Sequence, residues 1–356
     1  MNAAVVRLPI VHAAPSPRIR TLDGLRALSI SLVILGHLAG NPKIPPRLAD
    51  AMDFANFGVR VFFVISGFLI TMLLLKEEAK TGTISLRNFY IRRVFRIFPA
   101  FYAYFAVIAV CSLAGYIVVN HSDLLAAAFY VMNYRFHPSW YLGHLWSLSV
   151  EEQFYLLWPC AMVLAGRRWA TRIAVMVFCA APLVRISIFY LMPEWRPGIG
   201  FIFPTIADAL AIGCLLALRR DWLWQQTWYR KLLQSKWFFL VPLGALLANK
   251  LGGSVRLYIV LILTLMNLAV AATIDWSMRN ADSWIGKILE LKPVAFIGVL
   301  SYSLYLWQQP FFDYRDHAAI HPVLVSLICT FAASLASYFL LEKPFLRIKD
   351  RLFPSA

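Results

Sequence analysis

Apolar residues in this chain come in long blocks separated by short polar segments, and ten blocks approach the ~20 residues a helix needs to cross a hydrocarbon layer. They cover residues 24–41, 57–76, 99–119, 144–165, 172–192, 200–218, 237–251, 255–274, 294–312 and 322–341. The apolar stretch 122–134 is shorter and reads as an interfacial or re-entrant segment. The pattern predicts an all-α fold: a polytopic transmembrane helical bundle of about ten spans.

Lys and Arg are retained on the cytoplasmic side of a membrane, so the basic residues orient the spans. With the N-terminus inside, 24 of the 34 Lys and Arg fall in inner segments, including Lys76, Lys80, Arg87, Arg92, Arg93 and Arg96. Only seven fall in outer loops or at outer span ends, and three, Arg26, Arg60 and Arg185, lie within spans. The asymmetry predicts that both termini are cytoplasmic. The expected organisation is a cytoplasmic tail over 1–20, a transmembrane domain over 21–345 and a basic cytoplasmic tail over 346–356. Residues 1–20 lack the apolar core and cleavage pattern of a signal peptide.

Composition agrees with the pattern. Sixty per cent of residues are hydrophobic, 15% are charged and the mean hydropathy is +0.66, values of the membrane class. The net charge of +16 would suggest nucleic acid if it were gathered on one soluble face. Here it is spread over short inner loops that face an anionic leaflet, so no nucleic-acid partner is expected. The cysteines Cys111, Cys160, Cys179, Cys214 and Cys329 all sit in apolar runs without the close spacings of metal or disulfide frameworks, and no metal is expected.

Ionisable residues inside spans are costly and are the first places to look for chemistry. In RALSISLVILGH, Arg26 and His37 lie eleven positions apart. At 100° per residue this is three turns plus about 20°, so both leave the same helix face, ~16 Å apart along the axis. The other histidines are in the tail (His12) or in outer loops and span ends (His121, His137, His144, His317, His321).

Six segments in order, TLDGLRALSISLVILGH, FFVISGF, RNFYIRRVFRIFP, HLWSLSVEEQFYLLWP, SYSLYLWQQPFF and LEKPF, resemble the membrane-bound acyltransferase-3 family, over nearly the whole chain. The resemblance implies a multi-span bacterial enzyme that moves an acyl group, commonly acetyl from acetyl-CoA, onto a hydroxyl of a sugar or another acceptor. It also implies a place in the bacterial inner membrane, acyl-CoA as co-substrate rather than a bound cofactor, and a glycan acceptor.

Within that resemblance, His37 is the catalytic candidate, because acyl transfer to an alcohol needs a base near neutral pKa. It would act as a base or relay the acyl group; the alternative is a packing histidine. Arg26 would bind CoA phosphate, or snorkel to lipid and pair with Asp23. Arg92, Arg93 and Arg96 offer forks that suit phosphate oxygens, or serve as an inner-surface anchor. Glu151 and Glu152 are the other catalytic candidates, diverging by ~100° so that one faces the bundle interior. Glu151 shares a face with Phe154, Tyr155 and Trp158, and could orient His37 or pair structurally with Arg60 or Arg185. Arg60, Trp146 and Asp208 are candidate substrate contacts, with Asp208 equally able to pair with Arg185. Ser66 and Gly67 read as close-packing residues rather than a nucleophile. Relatives commonly carry a histidine where this chain has Gln308, which weakens any two-histidine mechanism. The alternative function is a transporter or flippase of a glycan or lipid-linked substrate, which also carries charge at the midplane.

Overall fold

A computed structural model describes residues 19–250, 255–314 and 322–353. His12, Arg315, His317 and His321, and most of the N-terminal tail, lie outside the described residues. Among those described, every regular element is helical.

Helix α1 (Arg20–Leu38) holds both Arg26 and His37. After a short α2 (Pro46–Met52), α3 (Ala55–Thr81) runs to Gly82, whose φ of 75° ends it in the left-handed conformation that glycine takes freely. Helix α4 (Leu86–Leu113) begins thirteen residues before the apolar block at 99, because the Ser85 hydroxyl accepts from the Asn88 backbone N–H at 3.3 Å and caps it. The RRVFR motif is therefore helical, and Pro99 is interior to its helix. The segment 122–134 forms α5 (His121–Ala128) and a 3₁₀ turn, Met132–Tyr134. A single turn, α6 (Trp140–Gly143), leads into α7 (Leu145–Leu191), which breaks at Gly166 (φ 69°, ψ 168°) and so contains the two adjacent apolar blocks.

Helix α8 (Phe203–Gln225) is followed by two short helices, α9 (Thr227–Gln234) and α10 (Leu240–Ala248). The block 237–251 thus differs from expectation: Pro242 and Gly244 lie in a helix of nine residues, ~14 Å long, well short of a bilayer. A helical run then comprises α11 (Val255–Leu257), a π-helical turn at Tyr258–Ile262 and α12 (Leu263–Arg279). Next come α13 (Trp284–Leu289), α14 (Lys292–Phe311), α15 (Val323–Ser337), a second π turn at Tyr338–Glu342 and α16 (Lys343–Leu352). Seven described stretches are long and apolar enough to cross a membrane: Arg20–Leu38, Pro46–Thr81, Leu86–Leu113, Trp140–Leu191, Pro193–Gln225, Tyr258–Arg279 and Val323–Leu352.

Helix α1 is the hub, packed on α3 and α14, while α8 packs against α3 and α7. Small residues permit the closest approaches. A Cβ on Gly67 would overlap the Leu210 carbonyl of α8, one on Gly213 would overlap the Val64 carbonyl of α3, and one on Gly298 of α14 would overlap Asp23 of α1. The fully buried Phe63, Phe68, Phe101 and Tyr104 fill the space these backbones enclose.

Candidate active site

Two polar stations occupy the same face of α1. At the first, Arg26 is half-buried nearly two turns into the helix. Arg93 comes from α4 and lays its guanidinium over the rings of Tyr155 (5.1 Å) and Phe89 (5.5 Å), a cation–π arrangement that orients the fork. Glu151 on α7 accepts from the Ser66 hydroxyl at 2.5 Å, and Tyr155 donates to Ser66 Oγ at 3.4 Å. The charges of Arg26 and Arg93 both act on Glu151. Glu152, the next residue, also lies in the field of Arg93, and its charge reaches Tyr102 of α4 and Tyr130 as well as Tyr155.

Glu342 closes this station from the far side. It is buried in the π turn before α16, accepts from the Ser303 hydroxyl, and lies within the fields of Arg96 and Arg26. Sequence reasoning quoted its motif, LEKPF, without singling it out. An acidic residue closing an apolar span was the available signal, and a π turn is frequently found at functional sites.

At the second station His37 sits in the last turn of α1 with Nδ1 2.9 Å from Gln308 Oε1 on α14. The Trp140 ring meets it edge-on, centroids 6.2 Å apart. Trp140 is itself pinned to α14: its Nε1 donates to the Gln309 carbonyl at 2.9 Å, and Gln309 Nε2 donates back to the Trp140 carbonyl at 3.0 Å. His144 is buried beside this station, within the field of His37, with Tyr104 and Tyr305 rings each 5.5 Å away. Its position at the end of an apolar block concealed it from the sequence reading.

The remaining candidates are placed apart. Arg92 is held by Glu77 at 2.8 Å, whereas the exposed Arg96 stays with the first station, its charge acting on Arg26, Arg93 and Glu342. Asp208 pairs with Arg185 at 2.5 Å and accepts from Thr264 at 2.8 Å. Arg185 also donates to the Thr205 carbonyl (2.6 Å) and the Ile259 carbonyl (3.2 Å), so this wholly buried knot ties α7, α8 and the start of α12 together. Arg60 reaches Asn267 Oδ1 at 3.5 Å in the same region, within the field of Asp208. Trp146 packs edge-on between Phe63 (5.8 Å) and Phe201 (4.8 Å). Among the described residues, no three His, Cys, Asp or Glu side chains cluster as a metal site would need.

The arrangement offers guanidinium groups that suit phosphate at one station and an imidazole at the other, ~16 Å away through an apolar bundle. The family model described as Acyltransferase domain matches residues 19–342. The chain is 28% identical to O-acetyltransferase OatA of Staphylococcus aureus (strain NCTC 8325 / PS 47) over 373 residues, 92% of this chain and 57% of that protein. It is 30% identical over 365 residues to SACOL0978 of Staphylococcus aureus (strain COL), provisionally named an O-acetyltransferase, covering 91% of this chain and 56% of that protein. The chain thus spans little more than half the length of these curated relatives. No solved structure matches it. The extent of the family match, end to end across the bundle, makes this chain a member of the acyltransferase-3 domain family.

Proposed function

We propose that this membrane protein is an O-acyltransferase that takes an acyl group, acetyl by analogy with the names of its relatives, from acyl-CoA to the hydroxyl of a glycan acceptor. The observation that carries the reading is the pair of stations on one face of α1, Arg26 with Arg93 and Glu151 at one, His37 with Gln308 at the other. Arg26, Arg93 and Arg96 hold the CoA phosphates from the cytoplasmic side of the bacterial inner membrane. The thioester arm extends along α1 toward His37. Glu151 keeps the arginines in place through its charge, and is itself anchored by Ser66.

His37 takes the proton of the acceptor hydroxyl as its oxygen attacks the thioester carbonyl. The new C–O bond forms, the C–S bond breaks, and the proton passes from the imidazole to the departing thiolate, so that ester and free CoA leave a neutral histidine. The Arg185–Asp208 ion pair, wholly buried between helices, serves architecture in this scheme.

The test is acyl-CoA-dependent modification by purified protein in bilayers, with His37→Gln beside it. Loss of general base catalysis costs about 10²–10⁴-fold in rate, so the variant should fall by that much while eluting and melting as the parent does. Near-normal turnover by His37→Gln removes His37 from the mechanism. Movement of an unmodified glycan across the bilayer, with no acyl-CoA consumed, would establish a transporter instead.

A further inference from the structure

Gln308 is wholly buried in α14, and its contact with His37 has a direction. The atom facing His37 Nδ1 is the amide oxygen, at 2.9 Å. The amide nitrogen, Nε2, has no hydrogen-bond partner in the structure, so the amide's one hydrogen bond is the contact of its oxygen with His37. A carbonyl oxygen only accepts, and the nitrogen it faces must therefore carry a proton. The Val33 carbonyl, one turn back on α1, also bears on this imidazole. The Nδ1 contact that the structure shows is thus with an acceptor.

We propose that Gln308 is a positioning residue that selects the Nδ1–H tautomer of His37 and so leaves Nε2 as the basic nitrogen. This rests on the reading of His37 as the base. In a neutral imidazole the two nitrogens exchange roles, and a base whose lone pair sits on the wrong nitrogen is unproductive. A buried acceptor fixed on Nδ1 removes that ambiguity. An amide does so without adding a second charge to the interior of the bundle, which a carboxylate would.

The experiment is nitrogen NMR of histidine-labelled protein in bilayers at mildly alkaline pH, with the His37 signal assigned by its loss in His37→Gln. The expected spectrum shows His37 protonated at Nδ1 and bare at Nε2. Gln308→Leu, which keeps the volume and removes the acceptor, should move His37 to the Nε2–H form. It should also lower kcat by about tenfold or more, a part of the 10²–10⁴ attributable to a general base, with KM for acyl-CoA unchanged. Gln308→Glu, which restores an acceptor oxygen, should restore protonation at Nδ1. An Nε2–H signal in the parent protein overturns the proposal, as does a tautomer indifferent to Gln308→Leu. If that variant does not fold, the parent spectrum still decides. If the spectrum is as expected and His37→Gln retains transfer, the base assignment fails while the tautomer assignment stands.

Discussion

Arg92 and Arg93 are neighbours in sequence and ~100° apart on α4, and the fold uses them differently. Arg92 is engaged by Glu77, whereas Arg93 lies over two aromatic rings with Glu151 and Glu152 in its field. Replacing Arg93 and Arg96 together by Ala should raise KM for acyl-CoA more than KM for the acceptor. Charge-assisted hydrogen bonds contribute about 1.5–3 kcal/mol each, so the rise should be about tenfold or more. Lysine should restore only part of it, because a point charge lacks the fork. Arg92→Ala should leave that KM alone and lower stability slightly, as a partly exposed pair does. An unchanged KM in the double variant, measured by initial rates, would sink the phosphate assignment. The sequence displayed these arginines as one cluster, because motif spacing records neighbours and not faces. The same limit hid that Glu151 is hydrogen-bonded by Ser66 and that Asp208 is ion-paired with Arg185, contacts made across helices that motif spacing cannot record.

Helices were legible in the blocks, but their ends and contacts were not. The capped start of α4 at Leu86 and the nine-residue α10 both depart from the apolar boundaries, since caps and glycine or proline interruptions are local chemistry that a hydropathy block averages out. Close packing was half visible: Ser66 and Gly67 were read as small contact residues, and Gly67 indeed admits the α8 backbone, yet Ser66 next to it anchors Glu151. Gly67→Ala should therefore act on an element pair and not on one contact. A methyl group there meets backbone, which cannot step aside, so α3 and α8 must separate, at about 1–3 kcal/mol for an overpacked site. Thermal unfolding in detergent should show a clear drop in midpoint, with transfer falling as Ser66 moves off Glu151. Gly244→Ala in α10 is the control, because a Cβ there meets nothing within 4 Å and alanine favours a helix by up to about 1 kcal/mol. Equal midpoints for the two variants would mean that α3 and α8 tolerate separation.

At the scale of the whole molecule, the functional reading requires the Arg93 station to face CoA, and so requires a particular sidedness. Helix α4 is the best gauge of it. Its 28 residues measure ~42 Å, enough to cross a bilayer, so the exposed Arg87 at its start and the exposed His137 beyond its end should report opposite compartments. Basic residues concentrate at the Arg87 end of α4, with six Lys and Arg in 76–98 against Arg135 alone in 114–143, a bias that predicts the cytoplasm at the Arg87 end. A background without the five native cysteines is needed, and Cys160→Ser keeps a hydroxyl for Tyr90, whose OH lies 3.1 Å from Cys160 Sγ. In that background Arg87→Cys should react with a membrane-impermeant maleimide only after the cells are opened, and His137→Cys should react on intact cells. The reverse pattern would put the arginines outside, away from any pool of acyl-CoA, and the donor site would then have to be sought at the His37 end of α1.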